Sequence, residues 1–129
     1  MFQRDYIQRL LREFMAALER VLQKKEVESR REQIQQLYEQ FLGPYSFYHV
    51  ASFDDIMKSF AGEDNNERRI AKMEMLAELY YQEASLVSKP IADDLLERAF
   101  ALYDFLENNS KVYSIQRRMK MSDIKERLS

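Results

Sequence analysis

The chain has 129 residues, 46% of them apolar and 33% charged, with a formal net charge of −2; that length fits one domain with a real core, and that balance argues against both a disordered chain and a membrane-spanning one. It has no cysteine and one histidine, so a disulfide framework, a thiolate nucleophile and the usual transition-metal ligand sets are excluded by inventory. Two glycines and two prolines are far below the average of about 7% and about 5%, and a chain so poor in turn residues favours helices.

Tyr6, Ile7, Leu10, Leu11, Phe14, Leu18, Val21 and Leu22 recur at three- and four-residue steps and predict a helix over 3–24. The polar stretch 24–28 turns the chain. Ile34, Leu37, Tyr38, Phe41 and Leu42 share one stripe of a second helix over 28–42. Gly43-Pro44 ends it, because Gly suits the position after a helix and Pro cannot continue one. Tyr45, Phe47, Tyr48, His49 and Phe53 then crowd into a connection, which either plugs a gap between hairpins or lines a recognition surface. Ser52-Phe53-Asp54-Asp55 has the form of a capping box with Asp in place of Glu, and predicts a short helix over 53–61.

Gly62 breaks the chain, and Asp64-Asn65-Asn66-Glu67 is a second start signal. The next helix, over 66–87, carries Met73, Leu76, Ala77, Tyr80, Ala84 and Val87. Ser88-Lys89-Pro90 stops it and starts another over 90–107, with Ser as the cap and Pro in the first turn. Its stripe is Ala92, Leu95, Leu96, Ala99, Leu102, Tyr103 and Leu106. A final helix from 112 carries Val112, Ile115 and Met119, with a break expected at Ser122 and fraying at the end.

Charge is distributed unevenly. Residues 62–110 hold five Lys/Arg against eleven Asp/Glu, a balance of −6, and residues 111–129 hold six against two, a balance of +4. Either these are ordinary solvated faces, the reading preferred here, or the acidic part attracts a basic partner and the basic tail folds onto it.

An offset of 39 residues lays one pair of helices on the next. Ile34, Leu37, Tyr38 and Phe41 fall on Met73, Leu76, Ala77 and Tyr80; Phe53, Ile56, Met57 and Phe60 fall on Ala92, Leu95, Leu96 and Ala99. The same frame reaches back to Phe14, Ala17, Leu18 and Val21 and forward to Val112, Ile115 and Met119. Within it, Met73-x-x-Leu76-Ala77-x-x-Tyr80 followed by Ala92-x-x-x-Leu96-x-x-Ala99-Phe100-x-Leu102 resembles a tetratricopeptide repeat. The likeness departs at Met73, where the family has Trp, in about three extra residues between the helices, and in lacking the terminal Pro. In the copy over 34–60, Tyr38 and Phe60 stand where small residues belong. Met1-Phe2-x-x-Asp5-Tyr6-Ile7-x-Arg9-Leu10 is similar to the opening of a bacterial family of small helical proteins with no assigned activity. The expected fold is therefore all-α, a single domain over 1–129. It is read as an irregular tetratricopeptide-like stack of antiparallel hairpins with about six helices; the alternative is a non-repeating helical bundle.

Catalytic chemistry finds no support. Both glycines stand alone, so there is no phosphate-cradling loop. His49 lies among Tyr48, Val50 and Phe53 and reads as a packed or surface loop residue. Glu74 and Glu78 are at helical spacing, but no Glu-x-x-His accompanies them. The chain is therefore read as not an enzyme, with no cofactor and no metal. Lys24-Lys25, Arg30-Arg31 and Arg117-Arg118-x-Lys120 are dispersed, and the first two pairs are interleaved with Glu26, Glu28 and Glu32, which argues against a nucleic-acid footprint. No window reaches the roughly 18 apolar residues of a membrane span and no apolar leader is visible, so a cytoplasmic protein is expected.

What remains is recognition of another protein. In tetratricopeptide repeats the first helices line a concave groove. Carried onto the matching helix, the groove positions are Ala71, Glu74, Glu78, Tyr81 and Gln82. Their acids imply a basic or neutral peptide segment, with Tyr81 as its apolar anchor. The other reading is self-assembly into a homo-oligomer through the wide stripe of the first helix.

Overall fold

The computed structural model of the protein describes residues 2–110 and 113–129, with side chains from Asp5 onward. Every regular element among them is a helix: α1 Phe2–Leu22, α2 Val27–Phe41, α3 Tyr45–Val50, α4 Phe53–Ala61, α5 Asn66–Ala84, α6 Ile91–Asn109 and α7 Ile115–Leu128. The protein is all-α, and the described residues form seven helices where about six were expected. The additional one is α3, built from the aromatic connection.

Local chemistry explains most of the boundaries. The Gly43 N–H donates to the Tyr38 carbonyl at 2.9 Å, and Gly43 takes a φ of 152°, a conformation that side chains disfavour. Ser52 Oγ accepts the Asp55 N–H at 3.1 Å to start α4, and Asn65 Oδ1 accepts the Arg68 N–H at 2.8 Å to start α5. Ser88 does not cap α6 as expected. Its backbone carbonyl accepts the Ala92 N–H at 3.0 Å, and the residue at the cap position is Pro90.

α5 and α6 form an antiparallel hairpin that is the backbone of the molecule. α1 packs on α2 and α5, α2 also on α5, α4 on α6, and α7 on α6. Most of the buried apolar side chains form one connected cluster, from Phe14 and Leu18 of α1 through Leu76 and Tyr80 of α5 and Leu95 and Leu102 of α6 to Ile124 of α7. Burying such a set supplies the main driving force for the fold, about 25 cal/mol per Å² of apolar surface.

Several positions equivalent under the 39-residue offset are buried in both copies: Ile34 and Met73, Leu37 and Leu76, Tyr38 and Ala77, Ile56 and Leu95, Phe60 and Ala99. Two departures stand out. First, α3 rather than α4 packs along α2. Tyr38, large where the resembled repeat has a small residue, fills the space at α2; its ring packs on Tyr45 and Tyr48 of α3, with centroids 4.9 and 6.5 Å away. Second, the forward extension into α7 fails. Ile115 and Met119 are 62% and 66% exposed, and the buried residues of α7 are Arg117 and Ile124. Val112 lies outside the described residues. No break occurs at Ser122, and the helix continues to Leu128 rather than fraying.

Candidate functional site

Glu74, Glu78, Tyr81 and Gln82 stand at i, i+4, i+7 and i+8 along α5 and therefore share a face. Ala71, expected on that face, is instead part of the interior. The face is not open along its length, because α7 lies across it.

Glu78 is the centre of the contact. It is only 8% exposed, and a polar group so buried needs charge or hydrogen-bond partners. Lys120 Nζ of α7 donates to both of its oxygens, at 2.7 Å to Oε1. The Tyr103 hydroxyl of α6 donates at 3.1 Å and Gln82 Nε2 at 3.3 Å. Burial, and then the charge of Glu78, push the Tyr103 hydroxyl well above its usual range.

One turn along α5, Tyr81 donates to Asp123 Oδ2 of α7 at 2.6 Å. Burial and that bond push its hydroxyl up to about 12. Lys120 Nζ and Arg127 Cζ stand 5.7 and 5.8 Å from the ring centroid, in cation–π range. At the start of α7, Arg118 Nε and Arg117 Nε grip the two oxygens of Glu107 at 2.9 and 2.8 Å, holding that carboxyl below the usual glutamate range. The three cations of the Arg117-Arg118-x-Lys120 cluster are thus turned toward the protein's own acids.

Glu74 is placed differently. A cleft of about 250 Å³ opens between α1 and α7, with Glu74 and Met75 in its lining and the paired Glu78, Tyr103 and Lys120 at the same cleft. Leu11, Phe14 and Met15 make its apolar wall, and Gln116 and Arg117 lie on the opposite side. Among the described residues Glu74 pairs with Arg117 Nη1 at 3.7 Å, whose side chain makes a shorter bond to Glu107. Burial raises the pKa of Glu74, and Arg117 only partly opposes this.

The sequence reading thus placed Glu74, Glu78, Tyr81 and Gln82 on one face, but all four are engaged by or beside α7, Glu74 the most loosely. It named Arg117 and Lys120 only as part of a dispersed basic cluster and did not name Asp123 or Glu107. The signal for them was the opposition of a −6 segment to a +4 tail, for which solvated faces were preferred over a tail folded onto the acidic part.

A second polar cluster lies on the opposite side of α5. Glu83, 3% exposed, accepts the Tyr38 hydroxyl at 2.7 Å and the Tyr45 hydroxyl through a very short bond. His49, in a helix rather than a loop, stacks on Tyr45 with centroids 4.9 Å apart and places Nδ1 2.9 Å from the Tyr45 oxygen. Arg98 of α6 donates to the carbonyls of Tyr48, Ala51 and His49 at 2.9–3.0 Å, satisfying the end of α3, where unpaired carbonyls would otherwise be stranded. The aromatic segment therefore serves as a plug at Tyr45 and Tyr48, with Phe47 and Val50 left exposed.

No helix among the described residues is long and apolar enough to cross a membrane. No protein-family model, curated protein or solved structure matches the chain.

Proposed function

We propose that the chain is a non-catalytic protein-interaction module of the cytoplasm, which takes a basic peptide segment at the cleft beside Glu74 of α5. The observation that supports this most is Glu74. It is a partly buried carboxylate beside an apolar wall, and among the described residues the cation paired with it, Arg117, stands 3.7 Å away and makes a shorter bond to Glu107. A lysine or arginine from a partner fits both halves of the cleft, its alkyl stem against Leu11 and Met15 and its charge at Glu74. The tetratricopeptide-like pattern of α5 and α6 supports the same reading, since such hairpins present first-helix residues to peptides.

The test is a panel of immobilised amphipathic peptides matched in hydrophobicity and length, half basic and half acidic. The basic set should bind at micromolar strength and lose about tenfold with Glu74→Lys, a change of about 1.4 kcal/mol. Equal binding of both sets, or indifference to Glu74→Lys, contradicts the reading. Because burial raises the pKa of Glu74, cation binding should weaken as pH falls into that raised range, where the carboxyl takes up its proton.

Self-assembly is the second reading. Met15 beside the cleft and Ile115 and Met119 on the outward side of α7 supply apolar surface for a second copy. Sedimentation equilibrium decides it, since a mass that stays monomeric at high concentration removes it.

A further inference from the structure

The surface of α5 and α6 beneath α7 already holds an occupant. α7 is a basic helix laid on acidic neighbours, with Arg117, Lys120 and Ile124 at i, i+3 and i+7 turned inward. Ile124 is its one fully buried apolar side chain among the described residues, and Met121 is half-buried beside it. Ile115 and Met119 are left in solvent. The remaining ties are polar: Lys120 to Glu78, Arg117 and Arg118 to Glu107, Tyr81 to Asp123, and Lys125 Nζ over the Phe100 ring at 5.5 Å.

This contact rests on polar pairs more than on apolar area: α7 buries two residues where α6 buries seven. Its more exposed tie, Arg118 to Glu107, is open to screening by salt. The receiving surface is permanent, since Glu78, Tyr81, Phe100 and Tyr103 sit on the central hairpin.

We propose that this surface is a docking site for a basic amphipathic helix of another protein, and that α7 is its displaceable internal occupant. The fitting helix carries cations at i and i+3 for Glu107 and Glu78, a carboxylate at i+6 for Tyr81 and a branched apolar residue at i+7 for the Ile124 socket. A partner with larger apolar residues flanking that socket outcompetes α7. The proposal rests on the interaction-module reading and adds the surface and the ligand spacing. Charge complementarity selects the occupant: the hairpin segment is −6 and its resident helix belongs to a +4 tail.

The experiment uses the full chain, a fluorescein-labelled peptide of residues 113–129 as probe, and hydrogen exchange of the α7 amides. In wild type α7 is protected and the probe binds weakly. In Arg117→Glu/Lys120→Glu, α7 amides should exchange freely, α5 and α6 should stay protected, and the probe should bind at least about tenfold tighter. Adding Glu78→Lys should remove that gain. A released α7 with no gain in probe affinity overturns the proposal, as does a gain that survives Glu78→Lys. Should the double variant fail to fold, wild type suffices. Raising salt from about 0.05 M to about 0.5 M should speed α7 exchange while leaving α5 protected, and an unchanged α7 overturns the proposal. A wild-type dimer that the probe dissociates would assign the surface to a second copy and overturn the assignment to another protein. Failure here, with the basic peptide panel still reading out through Glu74, leaves the interaction-module reading standing; loss of both removes it.

Discussion

Glu78 of α5 and Lys120 of α7, 42 residues apart in the chain, are bound to each other at 2.7 Å on a surface where Glu78 is nearly closed to solvent. That pair joins the acidic middle of the sequence to its basic end. It differs from an ordinary surface ion pair because Tyr103 and Gln82 also donate to Glu78, so the carboxylate is held by three side chains at once.

The pair should therefore couple more strongly than an exposed one. A double-mutant cycle with Glu78→Gln and Lys120→Met, followed by urea unfolding, should give a coupling of about 1–3 kcal/mol. A value near zero would mean that solvent screens the pair as it does an exposed one.

Burial in α7 should separate its apolar residues. Ile124→Ala removes a fully buried side chain and should cost about 2–4 kcal/mol, whereas Ile115→Ala and Met119→Ala should stay within about 0.5 kcal/mol. Chemical denaturation of the three variants checks this, and the reverse order would restore the apolar stripe that spacing alone suggested.

Acid should loosen α7. Arg118 and Arg117 hold the Glu107 carboxyl below the usual glutamate range. A group so depressed contributes stability that is present above its unfolded value and is lost as pH falls through its folded value. Exchange of the α7 amides should accordingly accelerate as pH drops below the usual glutamate range. Glu107→Gln should flatten that dependence while α5 remains protected.

The direction of bonding at Glu83 fixes a tautomer. Tyr45 has one hydroxyl proton and gives it to Glu83, so the Nδ1 of His49 must donate to the Tyr45 oxygen. Nitrogen-detected NMR should find the Nδ1–H form of neutral His49, and Tyr45→Phe should release that preference. A neutral ring found as Nε2–H in the native protein contradicts the assigned network.

The helices α1, α2, α4, α5 and α6 were legible because each carries a dense apolar stripe and most have a turn or cap signal, such as Gly43, Ser52 and Asn65. α3 was missed because a six-residue helix is too short to show a period. Its stability comes from Tyr38 beneath it and Arg98 at its end, contacts 7–50 residues distant in sequence. α7 was found but turned the wrong way. Its five apolar residues, Ile115, Met119, Met121, Ile124 and Leu128, do not define one stripe, and ion pairs with Glu78 and Glu107 decide which side faces inward. The α5 face was legible from its resemblance and its acids. Its occupant, the basic tail, was offered only as the alternative to solvated faces, because a balance of charge tells which segments attract and not which residues meet.

The most direct test of the account is a zero-length carbodiimide cross-link on the full chain at low concentration, read by mass spectrometry. It joins a lysine amine to a carboxylate only when the two are in contact. The account predicts an intramolecular Lys120–Glu78 product that disappears with Glu78→Gln and fades as salt is raised. Lys120 left unlinked, or linked to scattered acids without preference, would contradict the seating of α7 on α5 and with it the docking surface inferred from that contact.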